Sequence, residues 1–265
     1  MKIHFIGLSC FLIENAAGFR ILVDPFEDNP EWTLGPIFPK EFSSKPFGTN
    51  IVLMSETDAD HARAPHEWQQ NAPIVKPDNN PFPNLNLSGT LVHEWNGEAC
   101  IAWHYTIDGI RLAHFSDHAH PLTVEQLTEI GNPDIIFYPL PKVSWDDQEA
   151  FNIIREDISK LKPKIVIWAH FIAPKNMPSV DDKEALRSYF IQYFKDNAST
   201  NLGYKGEDSF MELGNMIYSG FKLTNELNGK IMEAPTLELD QTTVDAFQQP
   251  TPFFFTSMLA TSKTE

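Results

Sequence analysis

The sequence predicts a mixed α/β (α+β) fold, and three observations favour that class. Short apolar runs with the branching of buried strands recur along the chain, for example at 51–54 and 165–169. Helical periodicity appears between such runs, most clearly over 146–161. Several predicted strands end directly in carboxylate or imidazole side chains. We therefore expect these strand ends to deliver metal-capable groups to one place.

The size and charge of the chain bound its function. Its 265 residues can bury a large core, and we predict one domain over 1–265. Lys and Arg number 20 against 36 Asp and Glu, which gives a formal charge of -16. This balance argues against the basic face that nucleic acid or an anionic membrane requires. We expect a small-molecule substrate, no nucleic acid and no membrane, and the sequence is compatible with a homo-oligomer.

The N-terminus and the cysteines indicate a cytoplasmic protein. One basic residue precedes an apolar stretch, as in a secretory signal, but His4 and Gly7 interrupt it and no small-residue cleavage pattern precedes Glu14. The chain has no uninterrupted apolar run of about 18 residues, the length of a membrane span. Cys10 and Cys100 each lie in an apolar run, so we predict buried, unpaired thiols.

The opening residues 2–13 and 19–23 are predicted strands, joined by a turn at 15–18 in which Gly18 supplies a positive φ. The second strand stops at Asp24. This residue is either a turn-forming cap or a carboxylate that orients a metal ligand, and the residues favour neither.

Two irregular stretches, 26–49 and 71–88, are rich in Pro and are predicted loops. The stretch 26–49 is either a binding loop or a surface excursion held by its own aromatic residues. In a hydrolase, we expect the two stretches to shape the substrate pocket. The C-terminal part, 200–265, is the least regular in pattern, and its apolar run at 250–259 is interpreted as a packed final segment.

The remaining elements follow from periodicity and turn signals. Thr123 and Gln126 form a capping-box pattern before a short helix, and Asp108-Gly109 is a strong hairpin signal. Strands are predicted at 90–95, 99–107, 110–115 and 134–139, and an amphipathic helix at 179–197.

The segment directly after the strand 51–54 carries three carboxylates and one imidazole, namely Glu56, Asp58, Asp60 and His61. Groups this close repel one another or must protonate unless positive charge lies among them. A divalent cation is the simplest solution, and imidazole with carboxylate suits Zn, Mn or Fe better than Ca. From this segment alone, a solvated acidic loop is an equally good interpretation.

Two further strand ends carry such groups. Asp117, His118 and His120 follow the predicted hairpin, and His170 ends the strand 165–169. Three separate strands therefore end in side chains that can bind a metal.

The order of these segments resembles the metallo-β-lactamase superfamily, most of all its ascorbate-6-phosphate-lactonase-like branch of metal-dependent hydrolases. The likeness spans roughly residues 1–175 and is carried by five segments in the same order, at 7–10, 23–25, 55–61, 114–120 and 162–170. It implies a single metallo-β-lactamase-like domain with a four-layer αββα sandwich.

The resemblance also implies a set of metal ligands. The family motif Thr-His-x-His-x-Asp-His corresponds here to residues 55–61, so Glu56 and Asp58 replace its two leading histidines and the motif is degenerate. One metal would be held by Asp60, His61, Asp117 and His170. The other would take Glu56, Asp58, Asp117 and His93, which is preferred to the mid-strand His104 because it ends a strand.

The four carboxylates of this set carry four negative charges, which two divalent ions would neutralise. Without metal, their crowding should raise several of their pKa values. Oxygen-rich ligation weakens the metal affinity of the half of the site that is built on Glu56 and Asp58. We therefore expect one or two divalent ions (Zn, Mn or Fe), and if only one binds, the half built on Glu56 and Asp58 is vacant.

Other side chains are assigned by the resemblance to positions around the ligands. Asp24, His114 and His120 would contact and orient them, and His120, which matches a family position, ranks ahead of His114 and His118.

The function implied is that of a metal-dependent hydrolase in which metal-bound hydroxide attacks a small-molecule ester, lactone or phosphate-type substrate. Asp117 and Asp60 would be its catalytic residues. Because Leu8 and Ser116 replace a family His and Gly, the alternative hypothesis is a catalytically degenerate protein that acts as a binding or regulatory module. A third hypothesis is a single-metal enzyme that uses only Asp60, His61, Asp117 and His170.

Overall fold

The computed structural model describes residues 1–26, 49–57, 60–61, 74–75, 82–141, 148–197 and 207–260. Within these ranges the chain forms thirteen β-strands in two sheets, together with five α-helices.

The first sheet is built mainly from the N-terminal part of the chain. Its strands are β1 (Lys2–Gly7), β2 (Cys10–Glu14), β3 (Arg20–Val23), β4 (Ile51–Leu53), β5 (Ile74–Val75) and β12 (Thr236–Glu238). They lie in the order β12-β1-β2-β3-β4-β5. The first three pair antiparallel as a meander, whereas β3 and β4 pair in parallel. The chain therefore leaves β3 and β4 at the same edge of the sheet.

The second sheet has seven strands. They are β6 (Ser88–His93), β7 (Ala99–Ile107), β8 (Ile110–His114), β9 (Ile135–Pro139), β10 (Ile165–Ala169), β11 (Lys230–Met232) and β13 (Thr251–Phe255). Their order is β11-β13-β10-β9-β8-β7-β6. Strands β8, β9 and β10 pair in parallel, so their carboxyl ends also lie at one edge. This geometry places residues that follow β8 and β10 near each other.

The helices are α1 (Val124–Ile130), α2 (Gln148–Leu161), α3 (Lys183–Asn197), α4 (Glu207–Glu226) and α5 (Gln241–Asp245). The predicted capping box is confirmed, because Thr123 Oγ1 accepts from the backbone N–H of Gln126 and the Gln126 side chain accepts from Thr123 N–H. The helix predicted from 179 begins later, at Lys183, where the Asp182 carboxylate accepts the N–H of Ala185.

The two sheets pack face to face through aromatic side chains. Phe11 of β2 lies against Phe137 of β9 with ring centroids 4.7 Å apart, and Phe5 of β1 lies 5.5 Å from Phe255 of β13. All four rings are buried. Helix α4 contacts β10 and β13 of the second sheet, and there Trp168 Nε1 donates to Thr224 Oγ1 at 2.8 Å. The mixed α/β class predicted from the sequence is confirmed.

Three local predictions need correction or completion. The strand predicted at 2–13 is two strands, because Gly7 and Leu8 have φ angles of 139° and 56° and reverse the chain. The loop predicted at 71–88 contains β5 and a 3-10 turn at Pro83–Leu85. Most of the loop predicted at 26–49 lies outside the described residues.

The predictions for the cysteines and for the C-terminal apolar run are confirmed. Cys10 and Cys100 are buried and unpaired. Residues Thr251–Phe255 form a fully buried strand between β10 and β11. In the part of the chain that the structure describes, no helix has both the length and the apolar composition needed to cross a bilayer.

Substituting Phe11→Ala should lower the free energy of unfolding by about 3–5 kcal/mol, because it opens a cavity between the sheets. The measurement is urea unfolding followed by circular dichroism. Leu91→Ala is the control: Leu91 lies on β6 and is 53% exposed, so its removal should change stability by no more than about 0.5 kcal/mol. A loss below about 1 kcal/mol for Phe11→Ala would contradict the packing described.

Candidate metal centre

The site lies where strands of both sheets end. Asp24 follows β3, Ser55 lies just past β4, Asp117 follows β8, and His170 follows β10. Asp24 N donates to the carbonyl of Leu53 at 2.9 Å, which continues the parallel pairing of β3 and β4 by one residue. The parallel pairings in each sheet therefore bring these four positions together.

The backbone around the site is strained. Asp24, Ser116 and His170 have φ angles of 46°, 54° and 64°, and Leu8 has 56°. For residues with a Cβ this left-handed region costs on the order of 1 kcal/mol or more, and such residues concentrate at functional sites. Leu8 and His170 also hold each other, since His170 N donates to Leu8 O at 2.9 Å and Leu8 N donates to Phe171 O at 2.7 Å. These bonds join the two sheets beside the site.

Four predicted ligands form one cluster, which we call the Asp–His cluster: Asp60, His61, Asp117 and His170. One ligand atom from each lies within 4.8 Å of the others. Oδ1 of Asp117 is 2.8 Å from His170 Nε2 and 3.1 Å from His61 Nε2. Oδ2 of Asp60 is 3.7 and 3.8 Å from the same two nitrogens.

The two imidazoles converge on one carboxylate oxygen. His61 and His170 stack with ring centroids 5.4 Å apart, and both are buried. Their Nε2 atoms reach no solvent and make no hydrogen bond among the described residues, although Asp117 Oδ1 is close to both. Nitrogens that converge on one carboxylate oxygen without aligned N–H groups are what a shared cation would require. Two carboxylates and two imidazoles fit a divalent ion such as Zn, Mn or Fe.

Asp24 orients His61 from behind the cluster. Its Oδ2 lies 3.1 Å from His61 Nδ1, and its two oxygens accept from the N–H and the hydroxyl of Ser55, each at 2.8 Å. Asp24 itself is fully buried. A carboxylate on the far nitrogen of a ligand histidine fixes the ring and leaves Nε2 for the metal. Of the two roles left open by the sequence, this geometry matches the orienting carboxylate.

His114, like Asp24, lies behind the Asp–His cluster. Its Nε2 donates to the carbonyl of Ser9 at 2.9 Å, while its Nδ1 accepts from Ser116 N–H at 3.3 Å. Burial lowers the pKa of His114, which matches a neutral ring that donates at one nitrogen and accepts at the other. His114 Nδ1 is also 3.6 Å from Asp24 Oδ2.

The charges of the cluster compensate one another. Burial alone would raise the pKa of Asp60, but neighbouring His170 and His61 hold it at about 2. The pKa of Asp117 is likewise held well below its usual value by these two histidines, against the effect of burial. Burial opposes a charge on His61, yet Asp117 and Asp24 raise its pKa well above the ordinary value. The carboxylates thus demand positive charge at this point, which a proton or a cation supplies.

Of the three described carboxylates in the predicted ligand set, only Glu56 follows the expectation that crowding raises the pKa. Burial, with the charge of Asp117 and the neighbouring carboxyl of Glu94, raises the pKa of Glu56 to about 8, although His61 opposes the shift. For Asp60 and Asp117 the expectation is wrong, because the histidines between them outweigh their mutual repulsion.

Glu56 does not join the Asp–His cluster. Its Oε1 accepts from Ser116 Oγ at 2.9 Å and lies 3.5 Å from Nδ1 of His61, on the opposite side of that ring from the cluster. Its position is therefore that of a group behind a ligand. The structure also leaves His93 outside the cluster, and Asp58 lies outside the described residues.

The sequence analysis ranked His120 ahead of His118 as a residue of the site, whereas in the structure His118 is the one that lies beside it. His120 is exposed, whereas His118 is 3% exposed and lines a cavity that Asp117 and His170 also line. Neither ring nitrogen of His118 has a hydrogen-bond partner among the described residues, and its Nε2 lies 3.5 Å from Asp157 Oδ2.

Sequence reasoning missed Asp157 and Tyr138. Asp157 is fully buried and accepts from Tyr138 Oη at 2.7 Å and from Leu122 N–H at 3.2 Å. A signal for it existed, since Asp157 lies on the apolar face of α2 between Ile154 and Leu161. A carboxylate on such a face needs a buried partner.

Two facing mixed sheets with an Asp–His cluster at their strand ends define the class of metallo-β-lactamase-fold proteins. The family model described as "Beta-lactamase superfamily domain" matches residues 2–170, which include every member of the Asp–His cluster. The chain therefore belongs to the metallo-β-lactamase superfamily.

Solved structures share this fold. A candidate Zn-dependent hydrolase of the superfamily from Thermotoga maritima is 18% identical, with 96% of this chain and 97% of that chain covered at a TM-score of 0.53. Zn-bound PqqB from Methylobacterium extorquens is 10% identical, with 64% of this chain and 89% of that chain covered at a TM-score of 0.43. No curated protein matches the sequence significantly. The first likeness shows the fold, and the four-layer sandwich implied by the sequence is consistent with it.

Substituting Asp24→Ala should lower the free energy of unfolding by about 3 kcal/mol in the presence of a chelator. The change leaves the buried Ser55 N–H and His61 Nδ1 without their carboxylate. Asp245→Ala is the matched control, because Asp245 is exposed and pairs only at the surface, so stability should hardly change. Equal effects of the two variants in urea unfolding would contradict the role given to Asp24.

Proposed function

We propose that this protein is a metal-dependent hydrolase that acts on a small-molecule ester, lactone or phosphate-type substrate. The observation that carries the proposal is the Asp–His cluster, in which two buried imidazole nitrogens without hydrogen bonds converge on a carboxylate. Membership of the superfamily supports it, since the structural neighbour from Thermotoga maritima is described as a candidate Zn-dependent hydrolase.

The residues have separate tasks in this proposal. Asp60, His61, Asp117 and His170 would hold one Zn, Mn or Fe ion. A divalent ion in such a site activates water and polarises a carbonyl or phosphoryl oxygen. Asp24 holds the His61 ring in place through Nδ1, and the backbone bonds between Leu8 and His170 hold the fourth ligand.

Asp117 is placed to act on the substrate as well. It lies on the wall of the cavity together with His170, so a bound molecule meets the cluster directly. Because Asp117 belongs to both the cluster and the cavity wall, it would hold the attacking water and accept its proton.

One ion suffices for this proposal. The described residues contain one cluster with metal-ligand geometry, and Glu56 lies behind His61 with a carboxyl that pairs with Glu94. A site of this kind corresponds to the single-metal hypothesis of the sequence analysis.

The purified protein should retain close to one Zn, Mn or Fe ion per chain, measured by elemental analysis. His170→Ala should weaken the affinity for the retained metal by at least about 100-fold, which exceeds the usual effect of residues behind the ligands. His104→Ala is the control, because His104 lies on β7, bonds Thr90 of β6 and is outside the cluster. Failure to bind any of these metals, even on reconstitution, would remove the proposal.

The metal-loaded protein should hydrolyse members of a panel of esters, lactones and phosphoesters. Asp117→Ala should lower kcat/KM by about 100-fold or more, because it removes both a ligand and a proton acceptor. If the metal binds but no panel member turns over with any of the three metals, the binding or regulatory module becomes the better interpretation.

A further inference from the structure

We infer that the cavity beside the Asp–His cluster accepts an uncharged apolar acyl group of about six carbon atoms. The preferred substrate would then be a carboxylic ester or lactone and not a phosphate compound. This inference rests on the proposed function and narrows it to one substrate class.

The cavity is small and mainly apolar. Its volume is about 140 Å³, and its apolar wall comes from the loop after β6, the end of β9 and one face of α2. The side chains on that wall are Trp95, Tyr138, Leu140, Ala150, Ile153 and Ile154. An apolar cavity of roughly 150 Å³ in another protein holds one benzene molecule. The space here therefore suits a short alkyl chain or a single ring.

The charge of the wall argues against a phosphate group. None of the described residues that line the cavity is Lys or Arg, whereas Asp117 contributes a carboxylate. The metal of the proposed function would contact one phosphoryl oxygen, but the described wall supplies no further cationic side chain to offset the lost hydration of the other phosphate oxygens. A neutral acyl group has no such requirement. The formal charge of -16 for the chain further disfavours an anionic ligand.

The position of the cavity places the reacting bond at the cluster. Asp117 and His170 belong to both the cluster and the cavity wall, so an acyl group in the cavity has its carbonyl carbon beside them. Hydrolysis there joins the water oxygen to the acyl carbon and breaks the bond from that carbon to the alkoxy oxygen. One proton of the water goes to the leaving alkoxide, and the other leaves with the new carboxylic acid.

Helix α2 sets the length of group that fits. Ala150, Ile153 and Ile154 occupy one face of the helix at spacings of three and four residues, and all three line the cavity. Ala150 is the smallest of them. A larger side chain at position 150 would fill part of the space that the end of an acyl chain needs.

The test uses the metal-loaded full chain and p-nitrophenyl esters of acetate, butyrate, hexanoate and decanoate. Each pair of added methylenes that the cavity buries should raise kcat/KM by roughly 10-fold, so kcat/KM should peak at hexanoate and fall at decanoate. p-Nitrophenyl phosphate should react at least about 100-fold more slowly than hexanoate. A flat profile over the acyl series, or a preference for the phosphate, would overturn the inference.

Ala150→Leu should move the optimum to acetate or butyrate and lower kcat/KM for hexanoate by about 10-fold. Asn152→Leu, an exposed position on the same helix that does not line the cavity, is the matched control and should keep the hexanoate optimum. An unchanged optimum in Ala150→Leu would place the acyl group elsewhere and contradict the inference.

A binding measurement separates this inference from the proposed function. If no ester turns over, the proposed function fails, and thermal shift with hexanamide and hexyl phosphate still tests the cavity. Stabilisation by hexanamide that Ala150→Leu abolishes would support the selection of a neutral six-carbon group. Stabilisation by hexyl phosphate alone, or by neither compound, would overturn it.

Discussion

The structure depends on the balance of buried charge at the point where the two sheets meet. Asp117 and His61 are almost inaccessible to solvent, and burial would by itself oppose ionisation of the carboxylate and protonation of the imidazole. The effect of burial is outweighed because Asp117 Oδ1 lies 3.1 Å from His61 Nε2 and 2.8 Å from His170 Nε2. This interaction fixes where the strand ends must lie, and it creates a place where a divalent ion can replace a proton.

The backbone is strained where the strands end at the cluster. Asp24, Ser116 and His170 all leave their strands through left-handed conformations, which turn the side chains into the space between the sheets. Two backbone hydrogen bonds between Leu8 and the segment at His170 and Phe171 hold one of these turns across the sheets. The aromatic packing of Phe11 on Phe137 keeps the sheets at the spacing that the turns need.

Within the acidic segment after β4, Glu56 has a different surrounding from Asp60 and His61. The Glu56 carboxyl accepts from Ser116 Oγ, neighbours Glu94 and lies on the Nδ1 side of the His61 ring. Asp60 and His61 lie in the cluster. The cleft therefore combines one Asp–His cluster with an apolar cavity, which favours selective recognition of a short neutral group beside it.

The sequence by itself determined the fold class and most strands and helices, because period-two and period-3.6 patterns are local. It also indicated strand ends that carry metal-capable side chains, and the family resemblance grouped Asp60, His61, Asp117 and His170 as one set. It failed where contacts are made between distant segments. Only the tertiary structure decided that Glu56 lies behind His61, that His118 and not His120 faces the cavity, and that Asp157 meets Tyr138. The direction of a side chain and the charge around it depend on neighbours far away in the chain, and no local pattern records them.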